Sequence, residues 1–229
     1  MTETAGIVIA IDGPAGAGKS TAALRLSNAL GYVLVDTGAL YRGLALAARE
    51  GQVDWGDGPA LAALAGRTAL TFVPVPGERP KLHLEGVDRS GDIRTPEISQ
   101  GASIVSKHPE VRAALLELQR SLGRSGGVVL EGRDIGTVVF PQAELKVFLT
   151  ASAEARSERR LRELASRGIE ATREEVLSEI RERDDRDTNR PVAPLKAAED
   201  AVRVDSSELS LEEVVTRLVE LAQETIGRN

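Results

Sequence analysis

Cysteine is absent from this chain of 229 residues, and histidine occurs only twice, as His83 and His108. Without cysteine there is no disulfide frame, no thiolate nucleophile and no sulfur-based metal site. The two histidines stand at no ligand spacing, which excludes a histidine-rich metal centre. Aromatic residues make up only 3% of the chain against 41% hydrophobic, so the interior must be mostly Ala, Val, Leu and Ile. An excess of positive charge is missing too. The formal net charge of −6 gives no global field for nucleic acid or an anionic membrane, and neither is expected as a partner. Any anionic ligand must therefore be held by arginines concentrated locally. No apolar run approaches the roughly 20 residues of a membrane span. No basic-then-apolar leader precedes the first strand, so a cytoplasmic location is expected. The length suits one domain, or one domain carrying an insertion, and is enough for a proper core.

What is present begins with Gly13-Pro14-Ala15-Gly16-Ala17-Gly18-Lys19-Ser20, which matches the phosphate-loop pattern G-x-x-x-x-G-K-[ST]. The apolar, β-branched run Ile7-Val8-Ile9-Ala10-Ile11 before it reads as a buried strand. After it, Ser20 to Leu30 contains no Pro or Gly and reads as a helix. Glycines allow positive φ and bring successive N–H groups to a phosphate. Lys19 would reach the outer phosphates, and the Ser20 hydroxyl would hold Mg²⁺. The whole run, with Thr21 beyond it, is assigned to binding ATP.

Tyr32 to Val35 predicts a second buried strand ending in Asp36-Thr37-Gly38, with a helix from about Ala39 to Glu50 carrying Tyr41 and Arg42 in its first turn. This alternation belongs to a parallel α/β sheet, whose ligands gather at the carboxyl ends of the strands. Asp36 and Thr37 could serve as a helix cap alone, but a cap does not account for the Tyr and Arg that follow. From Gly51 to about Glu97, Pro and Gly recur. Short half-exposed strands are expected at Ala69–Val73 and Lys81–Val87, with a third β-like piece at Asp92-Ile93-Arg94. This is read as a small antiparallel insertion. Asp88-Arg89-Ser90-Gly91 fits the D-x-x-G of GTPases, but it follows no buried strand and no guanine-reading motif accompanies it, so it is read as a turn.

Helices follow over Ser99–Ser106 and Pro109–Arg124. In the latter, Val111, Leu115, Leu118 and Leu122 make one buried stripe, with Arg112 beside it, either solvated or functional. Val128-Val129-Leu130 is the third buried strand, and it ends in Glu131-Gly132-Arg133-Asp134, charges that point to chemistry. Leu145–Leu149 is the fourth. The helix from Ser152 to Arg167 carries Arg156, Arg159, Arg160 and Glu163 on one face, which suits either an exposed ion-paired surface or a lid over phosphates. A capping box at Thr172 opens a helix to about Asp187, where Arg183, Asp187 and Arg190 share a stripe if helical spacing persists. Ala201–Asp205 is a weaker fifth strand. The last helix, with Leu211, Val214, Leu218, Leu221 and Thr225 inward, is packing.

Arg42, Arg133 and Arg190 come from separate strand-end regions. Guanidinium groups converging from several elements suit a second phosphorylated ligand beside ATP, since each grips phosphate through paired N–H bonds. At about 1.5–3 kcal/mol per charge-assisted bond, three would supply most of a micromolar affinity. Phosphoryl transfer between two such ligands needs no covalent intermediate. Transfer to another monophosphate, transfer to a small hydroxyl substrate, and a nucleotide-dependent switch remain as rivals.

The segments Asp36-Thr37-Gly38-Ala39-Leu40-Tyr41-Arg42, Glu131 through Val139, and Arg183-Asp184-Asp185-Arg186-Asp187 with Asn189-Arg190 resemble bacterial cytidylate kinase. The resemblance runs in the same order over nearly the whole chain. It implies a nucleoside-monophosphate-kinase version of the P-loop NTPase α/β domain, with five parallel strands flanked by helices. An antiparallel α+β insertion at about 55–105 and a helical lid at about 152–172 belong to it. It implies transfer of the γ-phosphoryl of ATP to CMP or dCMP with Mg²⁺, in a protein expected to be a monomer. Carried over by motif, Thr37, Arg42, Arg133 and Arg190 would hold the CMP phosphate. Ser103, Arg112 and Asp134 would read cytosine, Arg183 with Asp187 would hold the sugar, and Tyr41 would wall the pocket beside Asp36. Catalysis would fall to Lys19, Arg133 and Arg183 with the lid arginines Arg159 or Arg160, and Arg156 as a further candidate.

Overall fold

The computed structural model describes residues 6–166 and 168–228, so Arg167, the expected end of the lid helix, lies outside it. Strand β1 (Val8–Asp12) leads through the glycine-rich loop into helix α1 (Lys19–Leu30), and β2 (Val33–Asp36) runs directly into α2 (Thr37–Glu50). Next come α3 (Gly58–Arg67), the short strands β3 (Leu70–Val73), β4 (Lys81–Leu84) and β5 (Val87–Asp88), then helices α4 (Pro96–Val105) and α5 (Pro109–Gly123). The chain continues through β6 (Val128–Gly132), β7 (Leu145–Thr150), α6 (Ala153–Ser166), α7 (Arg173–Asn189), β8 (Val202–Asp205) and α8 (Leu211–Ile226).

Five strands form one parallel sheet in the order β2-β6-β1-β7-β8. Alternation along β1 puts Ile9 and Ile11 on one face, packed with Ala22 and Leu26 of α1 and Leu218 of α8. Ala10 faces the other way, with Val35, Leu130 and Ile135. Both faces are thus covered by apolar side chains, which is why these strands read as continuous apolar runs. The register is what matters for the site. Glu131 is paired level with both Ile11 and Asp36, and Asp12 with Gly132, so the polar strand ends come out at one edge.

The insertion packs on α2 through a second core of Leu40, Leu44, Leu61, Leu82, Ile98 and Leu115. Its sheet is antiparallel, in the order β3-β4-β5. Helices α6 and α7 share a small cluster of their own, Leu164, Val176 and Ile180.

Four local outcomes differ from the sequence reading. Asp92-Ile93-Arg94 is a 3-10 turn instead of a β-like piece, because Ile93 N bonds back to Arg89 O (3.2 Å) and Arg94 N to Gly91 O (3.1 Å). Helix α3 was hidden by the density of Pro and Gly, yet the Asp57 side chain caps Ala60 N at 3.0 Å and Pro59 suits the first turn. Residues Ile135–Val139 wind as a π-helical turn that no periodicity announced. Lys81–Val87, read as one strand, is a hairpin, because Glu85 and Gly86 turn the chain with φ of 51° and 80° between β4 and β5. Ser90 N donates to Asp88 Oδ1 (3.0 Å) in the turn expected at Asp88–Gly91. Helical spacing persists through Asn189, with Arg190 as C-cap.

Candidate active site

The phosphate loop takes the shape its glycines permit. Gly16 and Gly18 have φ of 78° and 89°, and Gly18 is the left-handed residue on which α1 starts. At Gly13 a Cβ would stand 1.9 Å from Leu149 O, so only glycine lets the loop leave β1 so close to β7. Lys19 is buried, and its Nζ donates to Pro14 O at 2.6 Å. Burial first, then the nearby Arg133, pushes its ammonium well below the ordinary lysine range. The Ser20 hydroxyl donates to Glu131 Oε2 at 2.7 Å across the sheet edge. Burial, followed by the neighbouring Asp36, raises the Glu131 carboxyl.

Next to this loop is a cavity of about 220 Å³. One wall is phosphate loop: Ala15, Gly16, Lys19 and Ser20. The other walls include every residue assigned above to the acceptor: Asp36, Thr37, Tyr41, Arg42, Ser103, Arg112, Arg133, Asp134, Arg183, Asp187 and Arg190. They arrive from β2, α2, α4, α5, the end of β6 and the end of α7. Gly13, Pro14, Ala17, Gly18 and Thr21 do not line it, and neither do Arg159 and Arg160.

Within the cavity the charges are matched in pairs. Asp36 does cap α2, accepting from Ala39 N at 3.0 Å, but its other oxygen takes Arg42 at 2.6 Å. Burial would raise this carboxyl, and Arg42, Arg79 and Arg94 together hold it below its ordinary value. Thr37 Oγ1 donates to Glu131 O (2.7 Å), tying the start of α2 to β6. Arg133 donates to Asp187 Oδ2 at 2.8 Å. Against burial, the cations Arg133 and Arg183 keep Asp187 low. Arg112 pairs with Asp134, and Arg190 approaches the same carboxylate at 3.5 Å. Arg112, left open by the sequence as solvated or functional, is thus a buried member of the site. Among the described residues no carboxylate bonds Arg183; burial, then Arg133, pulls its guanidinium down to about 10. Its Nε, Arg42 Nε and Ser103 Oγ are buried and, among the described residues, find no hydrogen-bond partner. Such groups are costly to leave unpaired, and all three residues line the one cavity.

The arginines of α6 have separate fates. Arg156 is buried and forked onto Asp184 (2.9 and 2.6 Å), and it also reaches Ala15 O of the phosphate loop at 3.2 Å. Arg159 donates to Ser206 Oγ (3.1 Å) and to the Ser206 carbonyl. Arg160 pairs within its own helix, with Glu163 at 2.9 Å.

Sequence reasoning had the charge of Glu131 but no partner for it; the partner, Ser20, is 111 residues away and met only through strand pairing. It gave no role to Arg79 and Arg94, whose charges bear on Asp36 from the insertion. Asp12 was also passed over, and it is buried at the root of the loop.

A parallel sheet with a phosphate loop at its edge, facing a cavity of convergent arginines, defines a P-loop nucleotide kinase. The cytidylate kinase family model matches residues 9–224. Cytidylate kinase of Pasteurella multocida is 49% identical over 218 residues, covering 95% of this chain and 96% of its own. That of Klebsiella pneumoniae is 48% identical over 220 residues, covering 96% of both. A solved structure of an uncharacterised protein from Eubacterium ventriosum superposes with TM-score 0.52 at 10% identity, covering 95% of this chain and 98% of that one, and bears on the fold alone. The chain belongs to the cytidylate kinase family. It is an ATP-dependent nucleoside monophosphate kinase of the CMP and dCMP class.

Proposed function

We propose that this one cavity brings both substrates together, ATP at the phosphate loop and CMP or dCMP between α2, α4, α5 and the end of α7. The observation that carries the acceptor assignment is the set of buried, unpartnered atoms, Ser103 Oγ, Arg42 Nε and Arg183 Nε, on residues that line that cavity. A polar, phosphorylated ligand would complete them.

Thr37, Arg42, Arg133 and Arg190 hold the acceptor phosphate, and Arg183 with Asp187 the sugar. Cytosine offers an amino group, suited to the Asp134 carboxylate, and N3 and O2 acceptors, suited to Arg112, with Ser103 completing the edge. Uracil reverses the donor pattern, and each mismatched buried group costs about 1–3 kcal/mol. Tyr41, under the Arg112 guanidinium, walls the base. Lys19, Arg133 and Arg183 neutralise the migrating phosphoryl group, an electrostatic effect that needs no covalent intermediate. Ser20 and Glu131 are adjacent hard oxygen groups and fit Mg²⁺; they would hold it, where it supplies charge neutralisation on the ATP phosphates.

Residues of about 152–172 act as a lid and those of about 55–105 as the monophosphate-binding part. The cluster of Leu164 with Val176 and Ile180 ties α6 to α7, so a moving α6 would carry the start of α7 with it. Arg159 or Arg160 turns onto the phosphates on closure. Unchanged turnover in both Arg159→Ala and Arg160→Ala would remove them from the chemistry. The same reading has a monomer in the cytoplasm; no described helix is long and apolar enough to cross a membrane.

The deciding experiment offers CMP, dCMP, UMP, AMP and GMP in parallel with ATP and Mg²⁺, beside a blank without acceptor, and follows ADP. Release with CMP and dCMP alone is expected. A preference for another base would discard the cytosine reader, and release equal to the blank everywhere would discard the kinase.

A further inference from the structure

Asp12 ends β1, one residue before the phosphate loop, and is 5% exposed. It does not line the cavity, and both of its carboxylate oxygens are taken up inside the protein. Its two oxygens accept from successive backbone amides, Oδ1 from Ile135 N and Oδ2 from Gly136 N, each at 2.8 Å. Those amides open the π-helical turn directly after Asp134. Buried N–H groups need acceptors, and a carboxylate gives each amide an oxygen of its own. Asparagine has one oxygen, and its amino group would face an N–H. Around Asp12 stand Lys19 and Asp134, Arg133 feels its charge, and the Lys146 stem reaches the same side of Gly136. The strand register adds a second tie, since Asp12 is level with Gly132 on β6.

We propose that Asp12 is a positioning residue that locks the Arg133–Asp134 corner to the root of the phosphate loop, setting the base-reading carboxylate relative to the ATP phosphates. The backbone from Asp12 runs into the donor loop, and its side chain holds the acceptor corner. One residue thereby sets the distance between the two substrates, which phosphoryl transfer requires to be right within a fraction of an ångström. The proposal rests on Asp134 being a base reader.

The test compares wild type, Asp12→Asn and Asp134→Asn with CMP and UMP as acceptors. In Asp12→Asn the KM for CMP is expected to rise roughly tenfold, as for loss of one charge-assisted bond, and discrimination against UMP to fall by a similar factor. The KM for ATP should stay within about twofold, a split that general loosening of the fold would not produce. Asp134→Asn should also lose discrimination. If Asp134→Asn does so while a cooperatively melting Asp12→Asn keeps the wild-type KM and discrimination, the positioning role is overturned and the base reader stands. If neither variant changes base preference, the base-reader assignment fails and the proposal with it. Should Asp12→Asn not fold, amide exchange in the wild-type protein decides. Ile135 and Gly136 should exchange far more slowly than exposed loop amides, and exchange as fast as those would overturn the lock.

Discussion

Arg112 and Asp134 meet inside the cavity as an ion pair whose side chains are 7% and 6% exposed, with the Arg112 guanidinium 5.4 Å above the Tyr41 ring. The two groups assigned to the cytosine edge thus hold each other in register. A buried pair is stiff, and removing one member leaves the other charge unsatisfied. Arg112→Met should raise the KM for CMP by about 10² and erode the preference over UMP, since two charge-assisted bonds are lost. Because Arg190 remains 3.5 Å from Asp134, the stability loss should stay below the roughly 3–5 kcal/mol of a fully orphaned charge. Parallel steady-state kinetics with the two monophosphates and a denaturant titration measure both.

Ser20 and Glu131 share a 2.7 Å hydrogen bond at the loop's entry to α1. Ser20→Ala removes the hydroxyl without changing the fold of the loop. Turnover should drop by about 10² or more and half-saturation should need more Mg²⁺, whereas Ser20→Thr should retain most activity. A Mg²⁺ titration of initial rates at fixed ATP tests this, and an unaltered Mg²⁺ dependence in Ser20→Ala would count against the assignment.

Arg156 and Arg160 are one helical turn apart, and their ion pairs should be worth very different amounts. Arg156 is buried and forked onto Asp184, itself 28% exposed. Arg160 pairs with Glu163 where both are partly solvated. Arg156→Ala should cost about 2–3 kcal/mol, a fall in Tm of roughly 5–10 °C, while Arg160→Ala should stay within about 1 kcal/mol. Calorimetry of the two variants separates a structural arginine from one free to serve the lid.

Asp12 titrates at about 6 in the folded protein against an ordinary value of 3.8, chiefly because burial disfavours its charge. The folded state therefore holds the proton more tightly than the unfolded chain. The stability this confers is complete below 3.8, declines as pH rises, and is gone above about 6. Over that window wild type should lose about 3 kcal/mol relative to Asp12→Asn, which has no such proton. Unfolding titrations of both proteins at pH 4 and pH 7 cancel the groups they share. Equal pH dependence in the two would show that Asp12 is not raised. Such a burden on stability is what a residue kept for positioning would carry.

Much of this was legible from one dimension because the chemistry is written locally. The phosphate loop needs its glycines, Lys19 and Ser20 within one short run, and buried strands need apolar residues in succession. Those two signals yield the sheet, the nucleotide and the strand ends where Arg42, Arg133 and Asp134 stand. Ser103 and Arg112 were different. Each sits on an ordinary amphipathic helix, so only likeness to a known family singled them out. Helix α3 escaped because its Pro and Gly obscure a local cap, and the 3-10 turn at Asp92–Arg94 and the π-helical turn after Asp134 are too short to show a period.

The sequence by itself determined the class of fold, the ATP loop and the supply of arginines, since each depends on neighbours along the chain. Only the tertiary structure decided how those charges are spent. It gave Ser20 to Glu131, Arg112 to Asp134, Arg156 to Asp184, and the Asp12 oxygens to Ile135 and Gly136. The partners lie on different strands and helices, and strand order with register sets which polar ends meet. In a buried site every charge must find an opposite charge or a donor, and that search is settled by distance in space.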